Sequence, residues 1–257
     1  MKIIDFIILV DTKAKMNLKA EAAKLYLSFL WWILEPMLYV AIFYFVFSVL
    51  LGSREPNFLL FLMCAKIPYM WFSKAVTNAS ASITSNRGII SQVYVSKLIF
   101  PYASMQTSAY KELPVFLFLL AACIYFDHMP SLLWLWLIPL IISLYLMIAA
   151  CSLLAALLVC YVEDLRVVIS MGMTALMFTS GVFFDISTMR EPVKSYLLAF
   201  NPMAFFCDAF RSILMRNELF DLAHLLKLTI FFICLIAILH WLYQVMSKAI
   251  AARVVNA

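Results

Sequence analysis

The sequence predicts an all-α membrane protein with six transmembrane helices, and three observations lead there. Of 257 residues, 66% are hydrophobic and 13% are charged, whereas a soluble domain is ~45–50% apolar. A chain of this length cannot hide that excess in a water-soluble core, because it still exposes much of its surface. The apolar runs are long and continuous rather than alternating, which is the pattern of helices and not of a barrel. Lipid leaves the backbone no third way to satisfy its hydrogen bonds.

Each element follows in order along a single membrane domain, 1–257. Residues 1–28 read as an amphipathic helix on the membrane surface, with Leu18, Ala22 and Leu25 at helical spacing among Lys2, Lys13, Lys15, Lys19 and Lys24. No removable signal peptide is expected, since the apolar start is short, carries Asp5 and lacks a small-residue cleavage site. Spans one to five occupy 29–184. The first covers 29–51, ending at the turn Gly52-Ser53-Arg54-Glu55-Pro56. The second covers 58–79 and leads into a polar stretch, 78–97. The third runs from Pro101 to Phe126, the fourth lies within 132–160, and Glu163-Asp164-Leu165-Arg166 separates it from a fifth that reaches about Phe184. The sixth covers 228–246, and a short tail, 247–257, follows.

Residues 185–227 are of a different kind. Tyr196-Leu197-Leu198-Ala199-Phe200 and Met203-Ala204-Phe205-Phe206 flank Asn201-Pro202. Each apolar piece is too short for a bilayer, which needs ~20 helical residues. Asn-Pro is a turn signal, so two short helices re-entering the outer side of the membrane fit best.

Positive charge sets the orientation. An even number of spans puts both termini on one side. That side collects the N-terminal lysines, Arg87, Lys97, Arg166, Lys248 and Arg253. The short turns opposite hold only Arg54, and the basic residues of 185–227 are matched by acidic ones. Both termini are therefore expected in the cytoplasm. The net charge of +5 speaks of orientation before nucleic acid, and no nucleic-acid partner is expected.

Reactive constellations are missing from the sequence. No GxxxxGK[ST] string exists to cradle a nucleotide phosphate. The three histidines are scattered, without HExxH, and no GxSxG occurs. The six cysteines form no CxxC pair, so neither a metal site nor a disulfide framework is indicated. Glu163-Asp164 reads as a solvated loop. This profile points away from catalysis and towards transport powered from elsewhere, with no cofactor and no metal in this chain.

Charged residues inside spans cost ~2.5–3.5 kcal/mol each on insertion scales, so each asks for a partner. Counting rise per residue, Glu35 and Lys74 lie at matching depth, and so do Lys66 and Glu112. Two cross-span ion pairs are expected, as helix locks rather than as substrate contacts. In the first span, Ser28, Trp32, Glu35, Tyr39 and Phe43 recur at spacings that form one helix face. Trp31 and Trp32 suit an interfacial belt. Tyr39 and Phe43 lie too deep for it, and aromatic faces let sugar rings stack, so Trp32, Glu35, Tyr39 and Phe43 are candidates to line a pathway. Phe178, towards the end of the fifth span, is counted with them.

These landmarks resemble the ABC-transporter permeases that export polysaccharides such as O-antigen and capsule, over nearly the whole chain. Leu30-Trp31-Trp32-Ile33-Leu34-Glu35-Pro36-Met37-Leu38 is similar to the family's Leu-Trp-x-x-x-x-Pro-Leu at the first span. Val93-Tyr94-Val95-Ser96-Lys97-Leu98-Ile99-Phe100-Pro101 is similar to its Val-Tyr-Phe-Pro-Arg-x-x-x-Pro. Glu163-Asp164-Leu165 stands where the family has Arg-Asp-Leu, and Asn201-Pro202-Met203 with Arg211 resembles its Asn-Pro-Leu and downstream Arg. Departures are Glu21-Ala22-Ala23 for a basic run, Ser28 for Gly, Ser96 for Pro, and Ser180-Gly181-Val182 for Ser-Pro-Val.

The resemblance implies a homodimer forming one channel in the bacterial inner membrane. Two copies of a separate ATPase, which hold ATP and Mg, would dock at a coupling helix within 86–97, with Arg87, Gln92, Val93, Tyr94 and Lys97 as contacts. Lys13, Lys15, Lys19 and Lys24 of the interface helix would frame the dock. Phe183, Phe184, Asn201, Pro202 and Arg211 would form an outer gate. The substrate would be a lipid-linked glycan, whose anionic head favours the lysine-rich, lipid-facing inner surface. The family pattern does not separate O-antigen from capsule or teichoic acid. A membrane enzyme acting on lipid-linked sugars, or a structural subunit, are the readings from other classes.

Overall fold

The computed structural model describes residues 3–23, 28–50, 52, 57–93 and 95–256. The described residues form helices and turns, with no strand among them. Helix α1 is Ile3–Ala22 and α2 is Ser28–Tyr44, which continues as a π-helical turn, Phe45–Leu50. Next come α3 (Phe58–Ser80), α4 (Arg87–Gln92), α5 (Ile99–Tyr125), α6 (Leu137–Tyr161) and α7 (Leu165–Thr179). Then follow α8 (Val193–Phe200), α9 (Pro202–Arg211), α10 (Leu222–Val245) and α11 (Ser247–Asn256).

Four stretches are long and apolar enough to cross a bilayer among the described residues: Phe58–Ser80, Ile99–Tyr125, Leu132–Tyr161 and Leu222–Val245. Two apolar helices are shorter, Leu30–Tyr44 within α2 and Leu165–Thr179. Helices α8 and α9 meet at a bend of 108°, and counted as one broken span they make a fifth. The fifth span expected to reach Phe184 loses its helix at Thr179. Its 15 residues rise ~22 Å, less than the ~30 Å hydrocarbon core.

Helix α3 is the axis of the fold. It packs against α2, α5, α6, α7 and α9, and most of its side chains are buried. Its neighbours therefore each see a different azimuth of one helix, and that decides which of its charges can meet. Helix α10 packs on α6 and leaves most of its apolar surface outward, as a lipid-facing span does. Helix α1 lies along α5: Ala14 is fully buried and the rings of Phe6 and Tyr102 meet edge to face, 5.8 Å apart.

Local chemistry starts α9 and α10 where they start. The Asn201 side chain accepts from the Met203 and Ala204 amides at 3.1 and 3.2 Å, and Pro202 takes the first helical position, both ordinary N-terminal devices. Asp221 caps α10 through Ala223 and His224, at 2.9 and 3.1 Å.

Candidate functional site

The aromatic and acidic stripe of α2 faces α3 and lines two neighbouring cavities. One, of about 360 Å³, is lined by Trp32, Glu35, Trp71, Lys74, Lys111 and Glu112, among others. The other, of about 280 Å³, lies beside Glu35, Tyr39, Phe43, Lys66, Tyr69, Ser73, Lys74 and Thr174. Glu35 and Lys74 border both and meet between them, with Nζ 2.7 Å from Oε2. Both side chains remain well exposed in the isolated chain, so their coupling is set closer to a surface pair than to a sealed one. A double-mutant cycle of Glu35→Gln and Lys74→Met, read by thermal unfolding of purified protein, is expected to return about 0.5–1 kcal/mol of coupling. Strictly additive losses would show the pair to be energetically idle.

The second expected pair does not form. Lys66 turns to the α2–α7 side of α3, where its Nζ lies 2.7 Å from the Met177 sulfur. It also sits 4.8 Å from the Phe43 ring centroid and 5.5 Å from that of Tyr39. Glu112 is on α5 and faces the other cavity, with Oε1 buried and without a hydrogen-bond partner among the described residues. Matching residues by depth along a helix axis leaves azimuth open, and Lys66 and Glu112 line different cavities.

An aromatic run continues from the stripe towards α9. Phe43 meets Phe183 with centroids 4.8 Å apart, and Phe183 meets Phe178 at 5.3 Å. Phe178 is exposed on the face of α7. Sequence reasoning passed over Tyr69, Ser73 and Thr174. The first two share the heptad-like face of α3 with Lys66, and the spacing test applied to the first span would have found them.

The group expected at an outer gate does come together. Asn201 Nδ2 donates to the Thr179 carbonyl at 3.1 Å and to Ser180 Oγ at 3.0 Å, which ties α9 to the end of α7. Arg211 is 1% exposed. Its Nε donates to the Phe61 carbonyl at 3.1 Å, Nη2 to that of Val182 at 2.8 Å, and Nη1 to those of Phe184 at 3.2 Å and of Gly181. Its guanidinium also stacks over the Phe61 ring at 3.4 Å. Phe184 thus contributes a carbonyl to this knot, while the ring of Phe183 packs on Phe43 and Phe178 instead. Arg216 adds a second tie that the sequence reading missed, reaching Asp185 at 3.3 Å and Asp208 Oδ1 at 2.5 Å. Helix α9 is largely buried and α8 has no buried residue.

At the other end of the bundle, α4 carries the expected docking residues. Arg87 pairs with Glu163 of the α6–α7 turn. Gln92 and Val93 are exposed, Lys97 is buried rather than flanking an open surface, and Tyr94 lies outside the described residues. On α1, Lys13 donates to Asn86 Oδ1 at 3.1 Å and Lys15 pairs with Asp11 at 2.7 Å. Hydrogen bonds from Lys15 and then Tyr110 hold the Asp11 carboxyl below its usual pKa. Lys19 is exposed, and Lys24 lies outside the described residues.

The chain is similar to proteins named O-antigen export system permease protein RfbA. One from Klebsiella pneumoniae is 25% identical, covering 91% of this chain and 90% of the relative. A second from the same organism is 24% identical, over 84% and 82%. One from Myxococcus xanthus is 28% identical, over 82% of each. Residues 17–215 match the ABC-2 type transporter family, from the first lysine-rich helix through the buried knot on Arg211, and the chain belongs to that family of multi-pass membrane permeases.

Proposed function

We propose that this chain is the membrane subunit of an ATP-driven exporter that carries a lipid-linked polysaccharide, of the O-antigen type, across the bacterial inner membrane. Two copies form one channel. Each contributes six spans: α2 with its π-helical turn, α3, α5, α6, α7 and α10. Both termini lie in the cytoplasm, α1 rests on the inner surface, and α8 and α9 re-enter from the outer side. Two copies of a separate ATPase dock from the cytoplasm on the segment around α4.

The observation that carries this reading is the near full-length match to relatives whose name states O-antigen export. The geometry is consistent with it. Tyr39, Phe43, Phe183 and Phe178 offer a run of ring faces from the two cavities towards the bent α8–α9 pair. Sugar rings slide along such faces without the directional hydrogen bonds that would hold one residue of a long polymer in place.

Cells lacking the chain are expected to keep their lipid-linked glycan on the cytoplasmic face, and the wild-type gene should restore its export. Tyr39→Ala and Phe43→Ala should each slow export several-fold while leaving membrane insertion and ATPase copurification intact. Cysteines placed at these two positions should react with water-soluble thiol reagents. Labelling by lipid-phase reagents alone would place both side chains against the bilayer and remove them from the pathway.

A further inference from the structure

Lys66 stands out as a charge without a counter-charge. It lies nine residues into α3, ~12 Å along the axis from the helix start, and is 5% exposed. No carboxylate pairs with it among the described residues. Its contacts are the Met177 thioether and the rings of Phe43 and Tyr39. A thioether is a weak acceptor, and ring faces stabilise a cation by ~0.5–2 kcal/mol. Neither neutralises the charge, and an ionised group at membrane depth is expensive unless it serves a partner.

The surroundings are built to receive an anion. The cavity of about 280 Å³ beside Lys66 has the hydroxyl-bearing Tyr39, Ser73 and Thr174 in its wall. Its second ammonium, Lys74, is neutralised by Glu35, so one positive charge is left over. The space equals several waters at ~30 Å³ each, enough for a phosphate group. A low-dielectric wall around a net positive charge focuses the field on a ligand of the opposite sign.

We propose that Lys66 is the phosphate contact of the pathway: its ammonium receives the anionic phosphate head of the lipid-linked substrate, beside the rings that take its sugars. This rests on the export reading above and adds a specificity-determining residue to it. A substrate with a phosphate between lipid and sugar would be held here once, at its head. The uncharged polymer behind it would meet only ring faces and pass.

The test uses the purified full-length chain in nanodiscs, with farnesyl diphosphate as probe and farnesol as its uncharged control. Wild type should bind the diphosphate in preference to farnesol. Lys66→Met should weaken diphosphate binding at least about tenfold and leave farnesol binding unchanged, while Lys66→Arg, which keeps the charge, should retain most of it. The melting temperature of Lys66→Met should equal or exceed that of wild type, because the variant buries no charge. A lowered melting temperature with unchanged binding per folded molecule would overturn the proposal and make Lys66 a helix lock. Equal binding by wild type and Lys66→Met would overturn it as well. Phosphatidylcholine and phosphatidylglycerol discs separate the sources of phosphate: similar affinity in both assigns the site to the substrate head. Binding lost only in phosphatidylglycerol would assign it to bilayer headgroups and overturn the substrate assignment. Failure of the export reading is separate, since it appears as glycan export that persists in cells without the chain.

Discussion

Arg211→Ala is expected to abolish the folded protein, with a loss of about 3–5 kcal/mol or more. The reason lies in the backbone it serves. Helix α7 ends at Thr179 after 15 residues, too few to cross a bilayer, and the chain from Gly181 to Phe184 runs without helical hydrogen bonds to its carbonyls. Irregular backbone at membrane depth survives only where protein satisfies it. Arg211 supplies that satisfaction to Gly181, Val182 and Phe184 and fixes the whole turn to Phe61 of α3. Truncation leaves three carbonyls facing a low-dielectric void, and each unmade bond there costs several kcal/mol before relaxation. Arg211→Lys keeps the charge but offers one nitrogen in place of three, and cannot reach acceptors spread around a planar fork. It should fall between wild type and alanine. Gly181→Ala tests the same turn from the other side. Gly181 has φ +70°, and a Cβ there would lie 2.5 Å from Ile186 Cδ1 and 2.6 Å from Cγ1. Left-handed strain adds ~1–2 kcal/mol, and Ile186 is itself fully buried. Thermal unfolding in detergent, followed by size-exclusion chromatography, reads all three. An Arg211→Ala chain that melts with wild type would show that water or lipid headgroups satisfy the turn.

What the sequence made legible was the pattern that burial in lipid writes directly. Long apolar runs marked α3, α5, α6 and α10, because a spanning helix must be apolar whatever it packs against. Asn201-Pro202 marked the α8–α9 break, since its capping and φ requirements are local. The short α7 was legible only in part. An apolar run continues past Thr179, and nothing in hydropathy signals that Gly181 takes a left-handed turn that a distant arginine must satisfy. The Lys66 and Glu112 mismatch has a related cause. Rise per residue gives depth from sequence alone, while azimuth depends on which neighbours surround α3. Lys97 was misplaced for the same reason: a lysine in a polar stretch reads as solvated, but here it is buried, beside a cavity it shares with Leu9 of α1 and Tyr243 and Gln244 of α10. The stripe from Trp32 to Phe43 was legible because one helix face is a one-body property of its spacing.

Ile89→Asp with Val93→Asp is expected to release the ATPase, weakening its retention by at least about a hundredfold. Helix α4 has two apolar faces with different fates. Ile90 is buried in the cluster that includes Ile83, Leu98, Phe100, Cys160 and Ile250, and α11 packs against it. Ile89 and Val93, one turn apart, stay 41% and 55% exposed. An apolar pair on a surface segment, outside any span, is what a docking partner buries. Removing two such side chains from an interface loses ~1.5–3 kcal/mol each, and every 1.4 kcal/mol is tenfold in affinity. Helix α4 is also tied to its neighbours on three sides. Arg87 pairs with Glu163 at the α6–α7 turn, Lys13 of α1 binds Asn86 just before the helix, and Ile250 of α11 closes the third side. Were a partner to push on Ile89 and Val93, these ties would carry the push to α6 and α7, and through α7 to the aromatic run beside Phe178. Ile90→Asp serves as the contrast, since it should damage the fold rather than the dock. The double variant should insert normally, keep its melting temperature and lose copurification of the ATPase together with export. Undiminished copurification would move the dock off α4, most plainly to the lysine-bearing face of α1.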